Sequence, residues 1–375
     1  MSREATVERW PAVAGLERTV VRGSREAVMT ALGEEHREEI RALREGALES
    51  WPRLVARTTG GAHDVFRCVQ AASRERLPLE SEELACLAAG SGLPDDDVWA
   101  LNLRGDLGSD GTGCSDVAAL VGGHPVMAHN EDGGTDLVGR IRLVTLDIEG
   151  DPSMTAVWYP GMLPANAFVV TSAGLGFGMD HLPVVRARPD GAGRHLVARH
   201  AQRGGSGAQA VERLTSVPCA GGFSFNMADT HGQGATMVEN IAGEVAVRAP
   251  TGGHTERHTN HARFVPPARR REPAPDDKWL VESRARAERL RLHLGDAPVS
   301  PQRMLTALRA EGVCNRGEGL WTYVTALVDG CSATVTLVGD SDTWTCDLDR
   351  FATGEWSGSP GAAPRQDPGT VGEGA

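Results

Sequence analysis

The stretch SDGTGCSDVAALV, residues 109–121, places the Gly113-Cys114 bond where small, flexible residues give way to an apolar run. A glycine turn and a second apolar stretch, residues 125–128, follow it. This pattern predicts a strand that begins at the cysteine, a tight turn and a second, antiparallel strand. A hairpin of this length would bring Asp132, which comes just after the second apolar stretch, back beside Cys114.

A Gly-Cys bond at the start of a strand has the chemistry that an N-terminal-nucleophile hydrolase requires. Glycine lets the backbone distort, so that the thiol of Cys114 can attack the carbonyl of Gly113. Cleavage frees the α-amine of Cys114, whose pKa of about 8 lies close to the thiol value of about 8.5. The freed residue would carry both a nucleophile and a base, and we expect self-cleavage here. The structural alternative is a small buried cysteine at the start of a strand.

Further short motifs keep a fixed order along the chain. They are EELACLAAGSGLP at residues 82–94, DVWALNLRGD at 97–106, AHNED at 128–132, TSAGLGFGMD at 171–180, FNMADTHG at 225–232 with MVE at 237–239, and HTNH at 258–261. In order and spacing they resemble the ALNxR, GQNWD, NExGLxxGLN, ADxxG…VE and TNH segments of one family. That family is the acyl-coenzyme A:6-aminopenicillanic acid acyltransferase (isopenicillin N acyltransferase) family of cysteine peptidases. The likeness covers roughly residues 80 to 340.

The resemblance implies a four-layer αββα sandwich, the fold of N-terminal-nucleophile hydrolases, whereas periodicity alone predicts only an α+β protein. It also implies a set of catalytic residues around the nucleophile Cys114. Asp132, eighteen positions after the cysteine, would be the family's aspartate. Asn260 of the HTNH motif would donate to the oxyanion. Arg316 lies in the region that supplies the family's arginine and would support the catalytic carboxylate.

Each of these side chains also has a purely structural interpretation. Asp132 could be a solvated turn residue, Asn260 a turn asparagine and Arg316 a surface arginine. A second group of residues is predicted to bind the substrate or to support the site, and Asn130 among them is equally typical of a turn. These residues are Arg104, His129 and Asn130.

The chain departs from the family pattern at two positions beside these residues. Glu131 stands where the family has an aromatic residue, and Asp180 replaces the asparagine that ends the hairpin at residues 171–180. Both departures bear on the identity of the substrate more than on the cleavage chemistry.

A metal hydrolase is the rival interpretation, because His254, His258 and His261 form an H-x3-H-x2-H run. The run lacks an HExxH helix and a glutamate placed as the base of a zinc hydrolase, so we predict no metal. The glycines of residues 174–178 are followed by Pro183 instead of a helix, which favours a tight hairpin over a phosphate-binding loop. We therefore predict that the protein needs no cofactor.

The chain divides into three predicted parts. Residues 1–113 form a mostly helical segment, with an amphipathic pattern around Ile40, and would become the α chain after cleavage. Residues 114–351 form the catalytic αββα domain, the β chain. Residues 352–375 are rich in glycine, proline and alanine, and we expect a disordered tail.

Composition limits the partners of this 375-residue chain. Its net charge of −12 argues against nucleic acid and anionic membrane surfaces, and no apolar stretch is long enough to span a bilayer. Seven cysteines without CxxC spacing, and an N-terminus without a signal-peptide core, predict a cytoplasmic protein. The expected partners are a small amide or acyl thioester and the two fragments of the chain itself. The oligomeric state stays open, a homo-oligomer included.

The function predicted from sequence is a self-processing cysteine amidase or acyltransferase that acts on a small N-acyl or aminoacyl amine. Hydrolysis and transfer use the same residues and differ only in whether water or an amine reaches the acyl-enzyme. The alternative is a non-enzymatic binding or scaffold protein on the same fold. The presence of Gly113, Cys114 and Asp132 together favours the enzyme.

Overall fold

The computed structural model of the protein describes residues 4–107, 113–251, 254–270, 272–295 and 299–355. The strands found there are β1 (Thr6–Val13), β2 (Leu16–Gly23), β3 (Ser115–Val121), β4 (His124–Gly133), β5 (Arg142–Ile148), β6 (Met154–Trp158), β7 (Val169–Thr171), β8 (Leu175–His181), β9 (Gly222–Asp229), β10 (Gly234–Ile241), β11 (Glu244–Arg248), β12 (Glu256–His258), β13 (Arg316–Gly317), β14 (Leu320–Asp329), β15 (Thr334–Val338) and β16 (Thr343–Asp347). The helices are α1 (Arg25–Glu35), α2 (Arg37–Ala42), α3 (Ser50–Thr59), α4 (His63–Arg76), α5 (Pro78–Ser91), α6 (Asp95–Asn102), α7 (Arg194–Gln202), α8 (Gly207–Ser216), α9 (Lys278–Leu294), α10 (Pro301–Leu308) and α11 (Leu348–Thr353).

The strands form two sheets. The first sheet has the order β1-β2-β5-β6-β7-β8-β9-β10-β11, and the second has the order β12-β3-β4-β14-β15-β16 with β13 paired to β14. All neighbouring strands are antiparallel except β2 and β5, which are parallel.

The two sheets pack face to face and helices cover their outer sides. Strands β3 and β4 of the second sheet contact β8, β9 and β10 of the first. Helix α1 packs on β2 and β5 and α8 packs on β9 and β10, while α9 and α10 pack on β12, β3, β4 and β14. These layers are helix, sheet, sheet, helix, which confirms the predicted αββα class of α+β fold.

The N-terminal segment contributes a hairpin as well as helices. Helices α1 to α6 follow one another between Arg25 and Asn102, but the hairpin of β1 and β2 before them was not predicted. Its turn places Ala14 and Gly15 at φ values of 48° and 77°, the positive values that a two-residue hairpin turn requires. The hairpin pairs through β2 with β5, so the first sheet contains strands from both sides of the Gly113-Cys114 bond.

One hydrophobic core also joins the two sides of that bond. Leu32, Leu84 and Trp99 belong to the same cluster of buried side chains as Val144 and Trp158. The predicted C-terminal tail begins within α11, and its residues 356–375 lie outside the described part of the chain. Within the described ranges, no helix is long and apolar enough to cross a membrane.

The hairpin of β3 and β4 lies at the centre of the second sheet and positions the predicted site. Its turn uses Gly122 and Gly123 at φ 59° and 87°. Ser115 pairs with Asn130, so that continuing the register sets Gly113 opposite Asp132. On the other edge of β4, pairing with β14 is interrupted by a bulge next to Thr322, the partner of Asp132. A bulge at this place turns the end of the strand and re-aims its side chains.

Candidate active site

The Gly113-Cys114 bond is buried against the end of β4. A Cβ atom added to Gly113 would lie 2.7 Å from the Cβ atom of Asp132 and 2.8 Å from a methyl carbon of Leu320. Only glycine fits so close an approach. Cys114 is 8 % exposed, and its sulfur lies 3.8 Å from the carbonyl oxygen of Asp132.

A buried arginine of α9 holds both carbonyls around this bond. Nη1 of Arg286 donates to the carbonyl oxygen of Gly113 at 2.6 Å, to the carbonyl oxygen of Cys114 and to Oγ of Ser115 at 3.0 Å. Nε of the same guanidinium donates to Glu282 at 2.8 Å, and Nη2 donates to the second oxygen of that carboxylate at 2.9 Å. Arg286 is fully buried, and this set of acceptors fixes its planar fork in one orientation.

The side chain of Asn260 is the other polar group held by that arginine. Its Oδ1 accepts from Nη2 of Arg286 at 2.8 Å, and its Nδ2 donates to the carbonyl oxygen of His181 at 3.0 Å. Asn260 and Cys114 line the same small cavity. One N–H bond of the amide is committed to the backbone, and the other is available as a donor toward the cavity.

Asp132 is a buried carboxyl with one oxygen bonded and one oxygen free. Its Oδ2 accepts from Nδ2 of Asn315 at 2.7 Å, whereas Oδ1 has no hydrogen-bond partner in the described residues. Burial raises the pKa of this carboxyl to about 7, although the charge of Arg286 opposes the shift. The group therefore changes charge near neutral pH.

The thiol of Cys114 is held in its neutral form in the uncleaved chain. Burial raises the pKa of Cys114 well above its ordinary value, and the negative charges of Glu131, Asp132 and Asp180 add to that effect. Because a thiolate and not a thiol acts as a nucleophile, an attack by this sulfur would need a group that accepts the thiol proton.

His129 does not face the substrate cavity but belongs to a buried ionic chain between the sheets. Its Nδ1 lies 2.9 Å from Asp116, its Nε2 lies 2.8 Å from Glu131, and Glu131 also accepts from the hydroxyl of Tyr159. Burial alone would lower the pKa of His129, but the charge of Asp116 and the two hydrogen bonds raise it well above the ordinary value. His129 is therefore held as an imidazolium between Asp116 and Glu131, and Glu131 stands at the position where the chain departs from the family pattern.

Two predicted site residues lie elsewhere. Arg316 pairs with Asp340 at 2.9 Å and lies over the Trp321 ring. It is not among the hydrogen-bond partners of Asp132 in the described residues, because its short strand β13 pairs with β14 and directs it to Asp340. Strand alternation directs Asn130 to the face of β4 opposite that of His129 and Glu131. It donates to the carbonyl oxygen of Leu308 at 2.8 Å and accepts from Thr325, and it does not line the cavity.

The histidines of the rival metal site are not gathered around one point. Both ring nitrogens of His258 are bonded to carboxylates, Nδ1 to Asp180 at 3.1 Å and Nε2 to Glu239 at 2.8 Å. Burial alone would lower the pKa of His258, but these two partners raise it to about 9. A protonated imidazole offers no lone pair to a metal.

The side-chain groups in the described ranges that could hold a metal involve other residues. They are Cys114 with His129 and Glu131, and Asp116 with His129 and Asp180. The bonds of His129 to Asp116 and Glu131 account for most of both sets without an ion.

Arg104 lines two neighbouring cavities. The inner cavity beside Cys114 has a volume of about 40 Å³, and a larger cleft of about 480 Å³ lies outside it. Arg104 and Asp132 line both. The guanidinium carbon of Arg104 lies 5.4 Å from the centre of the Tyr159 ring. The outer cleft is large enough for a small molecule, and the shared residues place it next to the cavity that contains the thiol.

Comparison with known proteins finds a family model over the centre of the chain. The model described as "Acyl-coenzyme A:6-aminopenicillanic acid acyl-transferase" matches residues 121–314, more than half of the chain. No curated protein matches.

Solved structures with a similar chain path have low sequence identity. A mutant of conjugated bile acid hydrolase from Clostridium perfringens is 12 % identical, with 63 % of this chain and 93 % of that chain covered and a TM-score of 0.41. Penicillin V acylase from Agrobacterium tumefaciens is 11 % identical, with 65 % and 89 % covered and a TM-score of 0.38. A second variant of the Clostridium perfringens hydrolase is 11 % identical, with 63 % and 93 % covered and a TM-score of 0.43.

Proposed function

The chain belongs to the acyl-coenzyme A:6-aminopenicillanic acid acyl-transferase family, and from that premise we propose that it is a self-processing enzyme whose nucleophile is Cys114. It cleaves its own Gly113-Cys114 bond and then hydrolyses or transfers the acyl group of a small amide or thioester. The observation that carries this proposal is the hydrogen bond of 2.6 Å from Arg286 to the carbonyl oxygen of Gly113. A buried cation on that oxygen is what an attack on that carbonyl needs.

Self-cleavage begins with the attack of the Cys114 sulfur on the carbonyl carbon of Gly113. The oxygen gains negative charge while it accepts from Arg286, the C–N bond breaks, and the nitrogen of Cys114 takes up a proton. The product is a thioester between Gly113 and the cysteine sulfur. Water hydrolyses it, which leaves a carboxylate on Gly113 and a free thiol and α-amine on Cys114.

The proton of the thiol needs an acceptor before an α-amine exists. Asp132 is suited to this task because its pKa of about 7 lies near neutral and its Oδ1 is free of other partners in the described structure. After cleavage, the α-amine of Cys114 becomes the base. Asp132 then stabilises the ammonium form of that amine and orients the nucleophile.

In turnover, the same chemistry takes place on the carbonyl group of a substrate. The substrate enters through the outer cleft, and its carbonyl carbon is attacked by the thiolate of Cys114. The free N–H of Asn260, whose amide is fixed by Arg286, donates to the developing oxyanion. Water or an amine then resolves the acyl-enzyme. The two fragments stay together because their side chains share one hydrophobic core.

Intact mass spectrometry of the purified protein tests the proposal. The wild-type chain of 39.7 kDa should give fragments of about 12 and 28 kDa, and Cys114→Ala should remain one chain. The processed protein is then offered small N-acyl amines and acyl thioesters. A wild-type protein that stays full length, or turnover that survives in Cys114→Ala, would contradict the proposal.

A further inference from the structure

A group of basic side chains forms the wall of the inner cavity opposite the catalytic carboxyl. We call it the basic pocket, and it consists of Arg104, His181, Arg194 and His195. These residues come from three places: the segment after α6, the end of β8 and the start of α7. None of them has a part in the cleavage chemistry proposed above.

His195 is the most informative member of the basic pocket. It is 1 % exposed, and neither of its ring nitrogens makes a hydrogen bond of normal geometry within the described residues. Burial lowers the pKa of His195 well below its ordinary value, and the charges of Arg194 and Arg104 lower it further. A contact with the backbone of Asn102 opposes the lowered pKa only in part. A buried ring nitrogen without a well-formed hydrogen bond is costly unless a ligand supplies the missing partner.

Arg104 brings an uncompensated charge to the same cavity. In the described part of the chain its side chain makes no ion pair or hydrogen bond, and the buried Nε atom has no partner. Its guanidinium lies over the face of the Tyr159 ring. The acids that line the cavity are already engaged, Glu131 with His129 and Asp132 with Asn315.

The size and position of the cavity limit which ligand could bind to Arg104 and His195. Its volume of about 40 Å³ exceeds the roughly 10–15 Å³ that one water molecule needs on the same measure, so the cavity has room for a small polar group. The cavity contains Cys114 in its wall and opens by way of Arg104 on the outer cleft. A group seated there would belong to the molecule whose carbonyl meets the thiol.

We propose that the basic pocket binds a carboxylate of the substrate, so that the enzyme selects small amides or thioesters that carry an acid group near the reacting carbonyl. This inference rests on the proposed function of Cys114. Arg104 and His195 donate to the carboxylate oxygens, and the guanidinium of Arg194 adds a positive charge nearby. The fork of a guanidinium matches a carboxylate, and such charge-assisted bonds are the strong ones in a site shielded from water.

Alkylation of Cys114 tests the pocket without knowledge of the substrate. Iodoacetate and iodoacetamide react with a thiol by the same displacement of iodide. Iodoacetate carries a carboxylate where iodoacetamide carries a neutral amide. Peptide mapping of the processed protein gives both rates at Cys114 and, in the same sample, at the exposed Cys68. The ratio of the iodoacetate rate to the iodoacetamide rate should be about tenfold or more higher at Cys114 than at Cys68, a difference that one charge-assisted hydrogen bond allows. The rate at Cys114 should also saturate as the iodoacetate concentration rises.

Variants identify the source of the preference. Arg104→Met should bring the ratio at Cys114 down toward the ratio at Cys68, and Arg104→Lys should retain part of it. Arg57→Met is the matched control, because Arg57 lines the outer cleft but not the inner cavity, and it should leave the ratio unchanged. His195→Leu should lower the ratio without a change in the rate with iodoacetamide.

The outcomes separate this inference from the function on which it rests. Equal ratios at Cys114 and Cys68, in a protein that still needs Cys114 for self-cleavage, would overturn the basic pocket and leave the proposed function standing. An equal acceleration of both reagents would also overturn it, because that result means the basic groups act on the thiolate. A Cys114 that reacts with neither reagent would contradict the nucleophile itself.

Discussion

Nη1 of Arg286 lies 2.6 Å from the carbonyl oxygen of Gly113, although the two residues are 173 positions apart in the chain. The arginine comes from a helix outside the second sheet and the glycine from the start of its central hairpin. Glu282 and Asn260 hold the remaining nitrogens of the guanidinium. The positive charge of Arg286 therefore already contacts the carbonyl oxygen of the uncleaved bond. An oxyanion formed on that oxygen would require little reorganisation of the protein.

Arg286→Met is expected to slow self-cleavage by about 10² to 10³-fold, the usual effect of removing one oxyanion donor. Arg286→Lys keeps the charge but cannot bond Gly113 and Asn260 at once, so its rate should be intermediate. The measurement is the fraction of intact chain over time by mass spectrometry.

The control for this series is Arg291→Met on the same helix. Arg291 is 39 % exposed and pairs with Glu288 on the surface, so its loss should leave cleavage at the wild-type rate. Cleavage at the wild-type rate in Arg286→Met would show that the arginine is only a structural anchor, provided that the variant remains folded by circular dichroism.

The central hairpin could be predicted because its signals are local. The alternation of apolar residues and the glycine pair at 122 and 123 fix β3 and β4 and bring Asp132 to the Gly113-Cys114 bond. The N-terminal hairpin escaped prediction because its turn is Ala14-Gly15, which lacks the usual Asn-Gly or Asp-Gly signal.

Arg286 could not be predicted because its role depends on long-range packing. In the sequence it lies in ESRARAERLRLHL, a run that is typical of a solvated helix face. Nothing in that run indicates that this one arginine is fully buried while Arg284 and Arg289 are not. Arg316, nearer to a family segment, was the natural choice from sequence, but its side chain pairs with Asp340 instead of Asp132.

Asp132→Asn should reduce self-cleavage by about 10²-fold or more, because it removes the proposed proton acceptor and keeps the shape. In the wild-type chain, the cleavage rate should rise as the pH passes through about 7, where this carboxyl loses its proton. The variant should lack that step. A pH profile of cleavage, followed from freshly refolded precursor, checks both points, and an identical profile in the variant would assign the step to another group.

The same substitution makes a separate prediction for stability. The folded pKa of Asp132, about 7, is above its ordinary value of 3.8, so folding favours the protonated form. The charged form costs stability increasingly as the pH rises from about 4 to 7. The substitution is made in the Cys114→Ala background, so that neither protein cleaves itself. At pH 8 the double variant should therefore unfold at a higher temperature than Cys114→Ala alone, and the difference should shrink at pH 4. A constant difference would mean that burial of the charge is not the cause.

Gly113→Ala should slow self-cleavage strongly, because the added methyl group would meet the Cβ atom of Asp132 at 2.7 Å. Either the backbone or the carboxyl must move, and a displacement of this kind misplaces the carbonyl under attack. Gly61→Ala is the control, since a Cβ atom there meets nothing within 4 Å. The rates come from the same mass measurement, and equal rates in the two variants would show that Gly113 is not required for the close approach.

His258 should make stability depend on pH. It joins Asp180 of the first sheet to the second sheet, and its folded pKa of about 9 is above the ordinary value of 6.5. A raised histidine pKa contributes stability that is fully present below pH 6.5 and is lost as the pH rises through 9. The melting temperature of the wild-type protein should therefore fall over that range.

His258→Gln should melt at a lower temperature than the wild type at pH 6 and show a flatter dependence on pH, because a neutral amide cannot replace the ionic bonds. The exposed His293→Gln is the control and should follow the wild-type curve. Parallel curves for His258→Gln and the wild type would mean that the buried imidazole carries no charge.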